Sequence, residues 1–83
     1  MAGPYYINPG QNQGGIPTWA WPRSTQVHVE VVNGGSGRVR LQAGASPDED
    51  NDINNSNTFS RSFGGVRLNV TNIGSSRLKV WTA

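Results

Sequence analysis

The stretch VHVEVVNGGSGRVRLQAG (residues 27–44) lies over VRLNVTNIGSSRLKVWTA (residues 66–83) without a gap when the chain is slid against itself by 39 residues. Val27, Val31, Asn33, Gly35, Ser36 and Arg38 meet identical residues at Val66, Val70, Asn72, Gly74, Ser75 and Arg77, and Val29, Val39, Arg40 and Leu41 meet the conservative Leu68, Leu78, Lys79 and Val80. Self-similarity at a fixed offset marks a repeated structural unit, and the absence of gaps favours duplication over convergence. Within each copy apolar residues alternate with polar ones, the period of a half-buried strand. Between the alternating runs stand NGGSG and NIGSS, where Asn and Gly tolerate the positive φ of tight connections. Each copy therefore reads as a hairpin-like unit of strand, turn and strand. Gly35 and Gly74 are expected at equivalent left-handed positions, and Val27, Val29, Val31, Val39, Leu41, Val66, Leu68, Val70, Leu78 and Val80 are expected to form the core.

Outward from the repeats the signals weaken. TFSRSF (58–63) is too interrupted for a central strand and suits an edge. Residues 1–25 hold four prolines and four of the seven aromatics, with no sustained period, and read as an extended arm with room for one short strand. No stretch reads as a helix of more than a turn or two. Eleven glycines, five prolines and 34% hydrophobic residues also disfavour helix interiors. The predicted fold is all-β: a small antiparallel β-sandwich or jelly-roll-like domain of five to seven strands over residues 26–83, built around the two similar units and preceded by the arm.

At 83 residues a single core is small. Without cysteine, disulfides, zinc–thiolate sites and thiol catalysis are all excluded. Subunit association or a bound ion is the expected reinforcement. The opening MAGPYYINPG lacks the basic and apolar regions of a signal peptide, and no segment is long enough to span a membrane as a helix. Synthesis in a cytoplasm is expected, with a virion or an extracellular assembly as open destinations.

If the alternating Val and Leu residues point inward, then His28, Glu30, Arg38, Arg40, Arg67, Arg77, Lys79 and Trp81 point outward. Five of the seven basic residues lie in that set, whereas four of the five acids crowd into PDEDNDINNSN (47–57). Such segregation would let two copies dock loop against strand face, a heterologous contact that builds rings or filaments. The same Arg and Lys residues also protect sheet edges from aggregation. With Trp81 they could hold single-stranded nucleic acid, but the adjacent acids disfavour phosphate.

The acidic segment 45–57 is expected to be a loop. Asp48, Asp50, Asp52 and Asn54 offer oxygens at alternate positions, a pattern that can wrap calcium. Counted from Asp48, an EF-hand would need Gly where Ile53 stands and Glu where Phe59 stands, so that motif is excluded. The run DNDINN (50–55) resembles the acidic calcium loop of the small bacterial fucose-binding lectins. The resemblance implies Asp and Asn side chains holding ions that grip sugar hydroxyls. It covers this run alone, and Ala83 stands where those lectins end in a glycine whose carboxylate joins a neighbour's site. Trp19, Trp21 and Trp81 offer a metal-free route to sugar as a stacking platform, or else serve as a lid over the sandwich.

Catalytic signals are absent. His28 is the sole histidine, no serine stands in G-x-S-x-G, and NGGSG precedes a strand rather than a helix. Two expectations follow: a non-catalytic, self-assembling subunit of a coat, decoration or filament, forming homo-oligomers; or a carbohydrate-binding, lectin-like module, with no cofactor or with calcium. The candidate partner-binding residues are Trp19, Trp21, Trp81, Arg38, Arg40, Arg67, Arg77 and Lys79, and the candidate metal ligands are Asp48, Asp50, Asp52 and Asn54.

Overall fold

The computed structural model describes residues 2–83. They form β1 (Ala2–Ile7), β2 (Asn12–Ile16), β3 (Thr25–Val31), β4 (Ser36–Ala43), β5 (Glu49–Asn54), β6 (Ser56–Arg61), β7 (Leu68–Asn72) and β8 (Leu78–Thr82). Two four-stranded antiparallel sheets, ordered β1-β8-β3-β6 and β2-β7-β4-β5, pack into a β-sandwich with a jelly-roll strand order. Eight strands rather than five to seven arise because segments of weak alternation also pair.

The repeats supply the middle of the molecule. Strands β3 and β8 are central in one sheet, β4 and β7 in the other. Each repeat is strand, turn and strand, but its two strands do not pair with each other: β3 lies beside β6 and β8, and β4 beside β5 and β7. The units are therefore arches that cross from sheet to sheet, not hairpins. Alternation alone cannot distinguish the two, since both bury the same side chains. The arches interlock through β3·β8 and β4·β7, with Val27 opposite Thr82 and Leu68 opposite Ala43. Strict equivalence would instead set Val66 against Ala43. The slip is two residues, so inward residues stay inward, but Val66 falls outside the ladder. It is 43% exposed, which corrects its place in the expected core.

The other nine expected core residues are buried. Each edge strand adds one more large apolar side chain: Ile7 from β1, Ile16 from β2, Ile53 from β5 and Phe59 from β6. Fully burying such a side chain stabilises by about 1.5–3 kcal/mol. The N-terminal segment is extended, but its extended parts are β1 and β2, paired with β8 and β7. The radius of gyration of 11.7 Å is that of a compact chain of this length, about 12 Å. The segment is thus integral to the sandwich rather than an arm reaching outward.

Candidate functional site

The acidic segment is a strand. On β5, Asp50 stands opposite Arg40 and Asp52 opposite Arg38. The Arg40 Nε and Nη2 atoms donate to the two Asp50 oxygens at 2.8 and 3.1 Å, and Asp48 approaches the same guanidinium at 4.0 Å. Arg38 Nε lies 3.3 Å from Asp52. The Arg40 hydrogen bonds hold the Asp50 carboxyl below its usual range and raise the Arg40 pKa in turn. At the strand's start, Arg61 of β6 grips both Glu49 oxygens at 3.2 and 2.7 Å, tying the edges of the two sheets together. That grip, aided by Asn51, lowers the Glu49 pKa.

These pairs explain why a run poor in strand formers becomes a strand: opposite charges across the ladder stabilise it. The expected loop survives only at residues 45–48 and at Asn55, whose φ of 66° turns the chain from β5 directly into β6. The expected calcium ligands do not converge. The three aspartates lie against arginines, and Asn54 is exposed at the end of β5, opposite Ser36. Among the described residues no group of three or more His, Asp or Glu side chains is arranged to hold a metal.

A different surface gathers on the outer face of the β1-β8-β3-β6 sheet. Trp81 on β8 is opposite His28 on β3, and His28 is opposite Thr58 on β6. The Trp81 and His28 rings stack with centroids 5.1 Å apart and planes 16° apart, and His28 Nδ1 is 2.9 Å from Thr58 Oγ1. In the neighbouring row Tyr6, Lys79 and Glu30 stand side by side. Lys79 Nζ lies 5.2 Å from the centre of the Trp81 ring, and the Arg77 guanidinium 4.9 Å from that of Tyr6, both within cation–π range.

Strand order gives this face its opening. Because β8 lies between β1 and β3, His28 covers Trp81 from the β3 side, while on the β1 side Trp81 borders a groove of about 320 Å³. Ala2, Gly3, Pro4, Lys79 and Thr82 line the rest. A bulge interrupts the β1–β8 register between Ala2 and Tyr5 and brings Gly3 onto β8. A Cβ at Gly3 would come within 2.8 Å of the Val80 carbonyl oxygen, so only glycine admits this approach.

The other expected partner-binding residues are dispersed. Trp19 is half-buried in the loop before β3, donates its backbone N–H to Thr25 Oγ1 at 2.8 Å, and carries Arg23 over its ring at 3.9 Å. Trp21 is 79% exposed in the same loop, and Arg67 donates to the Gly15 carbonyl at 3.2 Å. The three tryptophans thus do not share a platform. A second cleft, of about 490 Å³, lies between loop residues 44–47 and 62–66, floored by Leu41, Ala43 and Phe63 with the Glu49–Arg61 pair at its rim.

A family model described as "Family of unknown function (DUF8244)" matches residues 5–83. The chain belongs to this family. The DUF8244 match takes in β2 through β8 and the last three residues of β1, so Tyr6, His28, Thr58, Lys79 and Trp81 all fall within it. Two proteins of Dictyostelium discoideum, each described as an uncharacterized protein, are 77% and 78% identical to the DUF8244 chain over 83 residues, the whole of this chain and the whole of each relative. No solved structure matches it.

Sequence reasoning named Trp81, Lys79 and Arg77 but missed Pro4, Tyr6, His28 and Thr58 as their neighbours. Shared outward parity placed His28 and Trp81 on outer faces. Only the pairing of β3 with β8 puts them on the same one.

Proposed function

We propose that the chain is a non-catalytic binding module that takes a glycan on the outer face of the β1-β8-β3-β6 sheet, with Trp81 as the stacking surface. The observation that carries this reading is the state of Trp81: one side is stacked on a histidine that is itself hydrogen-bonded to Thr58, and the other borders a groove. A ring held in place before binding loses little entropy on binding. An apolar surface flanked by a few polar groups is the usual makeup of small-ligand sites, and it suits the C–H face of a pyranose with hydroxyls at its rim. Lys79, which lines the groove beside Trp81, is the charged group at its rim.

The self-assembly reading has less to draw on: Arg38 and Arg40 of the segregated charges pair with aspartates across β4 and β5, the N-terminal segment belongs to the sheets, and thirteen apolar residues are buried. The calcium version of the glycan reading is weakened in the same way, because Asp50 is engaged by Arg40. A glycan array probed with the protein and with Trp81→Ala, each in calcium and in chelator, tests the proposal. Binding that persists in chelator and weakens at least ten-fold in Trp81→Ala, about 1.4 kcal/mol, is expected. An array blank under every condition would end the reading, and binding abolished by chelator would return the site to the acidic strand.

A further inference from the structure

The two repeats carry the same pair of basic positions and treat them differently. Arg38 and Arg40 in the first correspond to Arg77 and Lys79 in the second. Strand β4 has the acidic β5 as a neighbour, and both of its arginines are neutralised by aspartates. Strand β8 lies between β1 and β3, which bring Tyr6 and His28 to the same face. Among the described residues Arg77 and Lys79 have no ion pair, and their neighbours are aromatic rings, Tyr6 for Arg77 and Trp81 for Lys79. Among the described residues Glu30 is the one carboxylate side chain on this face; it stands opposite Lys79 in register without closing an ion pair.

We infer that the ligand of this face is an acidic glycan, in which a sugar ring stacks on Trp81 and its carboxylate or sulfate meets Lys79, with Arg77 taking the next anion along β8. This rests on the glycan reading above and specifies its charge. Lys79 and Trp81 are two residues apart on one face of β8, and the Lys79 ammonium lies 5.2 Å from the centre of the Trp81 ring. An anionic substituent on a stacked ring therefore falls at the ammonium group. Two unpaired cations beside aromatic rings attract anions, whereas on the acidic edge Arg38, Arg40 and Arg61 are set against Asp48, Glu49, Asp50 and Asp52. Single-stranded nucleic acid shares the need for cations and a stacking ring, but successive phosphates require a longer basic track than Lys79 and Arg77 supply.

The test is direct binding of the full chain to polygalacturonate, a neutral galactan, dextran sulfate, unmodified dextran and oligo-dT, at low and high salt. The wild type, a Lys79→Gln/Arg77→Gln double variant and Trp81→Phe are compared, with thermal unfolding as a folding control. We expect an acidic polymer to bind at least ten-fold tighter than its neutral counterpart, the preference to vanish in the double variant and shrink with salt, and Trp81→Phe to keep the preference at reduced affinity. The carboxylated and sulfated arms identify the anion. Equal binding of acidic and neutral polymers, unchanged in the double variant, would overturn the inference and leave the glycan reading standing. No binding to any polysaccharide here or on the glycan array would remove both. Oligo-dT binding tighter than either acidic polymer would overturn the inference in favour of nucleic acid.

Discussion

The first arch, from β3 to β4, and the second, from β7 to β8, share Asn, Gly, Ser and Arg at the same positions, yet are closed differently. In the first, Gly35 is left-handed at φ 85°, Asn33 is exposed, and the Gly35 N–H is held by Asn55 Oδ1 from outside the repeat, at 2.8 Å. In the second, Asn72 is fully buried: its amide donates to the Ile7 and Ser76 carbonyls at 2.9 and 2.7 Å and accepts from the Gly74 N–H at 3.1 Å. Gly74 does not have positive φ, contrary to its expected equivalence with Gly35. It is glycine for lack of room, since a Cβ there would lie 2.8 Å from the Arg38 backbone nitrogen. One motif thus acts as an exposed corner held from outside the repeat in one place and as a packed, self-capped corner in the other. The difference follows from what lies against each turn.

The largest expected effect breaks the second arch. Asn72→Ala leaves the Ile7 and Ser76 carbonyls and the Gly74 N–H without that partner, and buried unsatisfied groups cost about 1–3 kcal/mol each. A loss of about 3 kcal/mol in urea unfolding is expected, while the equivalent Asn33→Ala should shift stability by less than about 0.5 kcal/mol. Equal losses would refute the asymmetry. Next is Gly74→Ala, where backbone overlap should cost about 2–3 kcal/mol. Gly35→Ala has open space around it, and its cost of about 1–2 kcal/mol comes from the left-handed backbone alone. A Gly35→Asn variant should recover part of that cost, since Asn adopts this conformation more readily, whereas Gly74→Asn should be worse than Gly74→Ala.

The smallest effect lies in the acidic edge that buttresses the first arch. The Glu49 pKa is lowered in the folded chain, so its contribution is present above the ordinary glutamate value of 4.5 and fades as pH falls through the lower folded value. Arg61→Gln should flatten that acid-side decline. As an exposed pair it is worth less than about 1 kcal/mol, measurable as the difference in urea midpoint between pH 7 and pH 3.

The β-sandwich was legible because strict alternation in residues 27–31, 39–41, 68–70 and 78–80 leaves one face for water and one for the core. Of the edge strands only β6 was, as the edge expected at TFSRSF (58–63). Ile16 and Ile53 each stand as a lone apolar residue among polar, Gly or Pro neighbours, and Ile7 follows two tyrosines in a Gly- and Pro-broken run; such segments become strand only beside a partner already in place. The candidate site was half legible: parity put Trp81, Lys79 and His28 outward, but Tyr6 and Thr58 reach them only through the β1–β8 and β3–β6 pairings.

By itself, then, the sequence determined which side of each central strand is buried, because side-chain direction alternates locally and needs no partner. Tertiary structure alone decided which strands are neighbours. A hairpin and an arch bury the same residues, and the choice between them is made by distant segments. The acidic β5 pairs with β4 and neutralises its arginines, and β1 and β3 flank β8 with rings, leaving its two cations open.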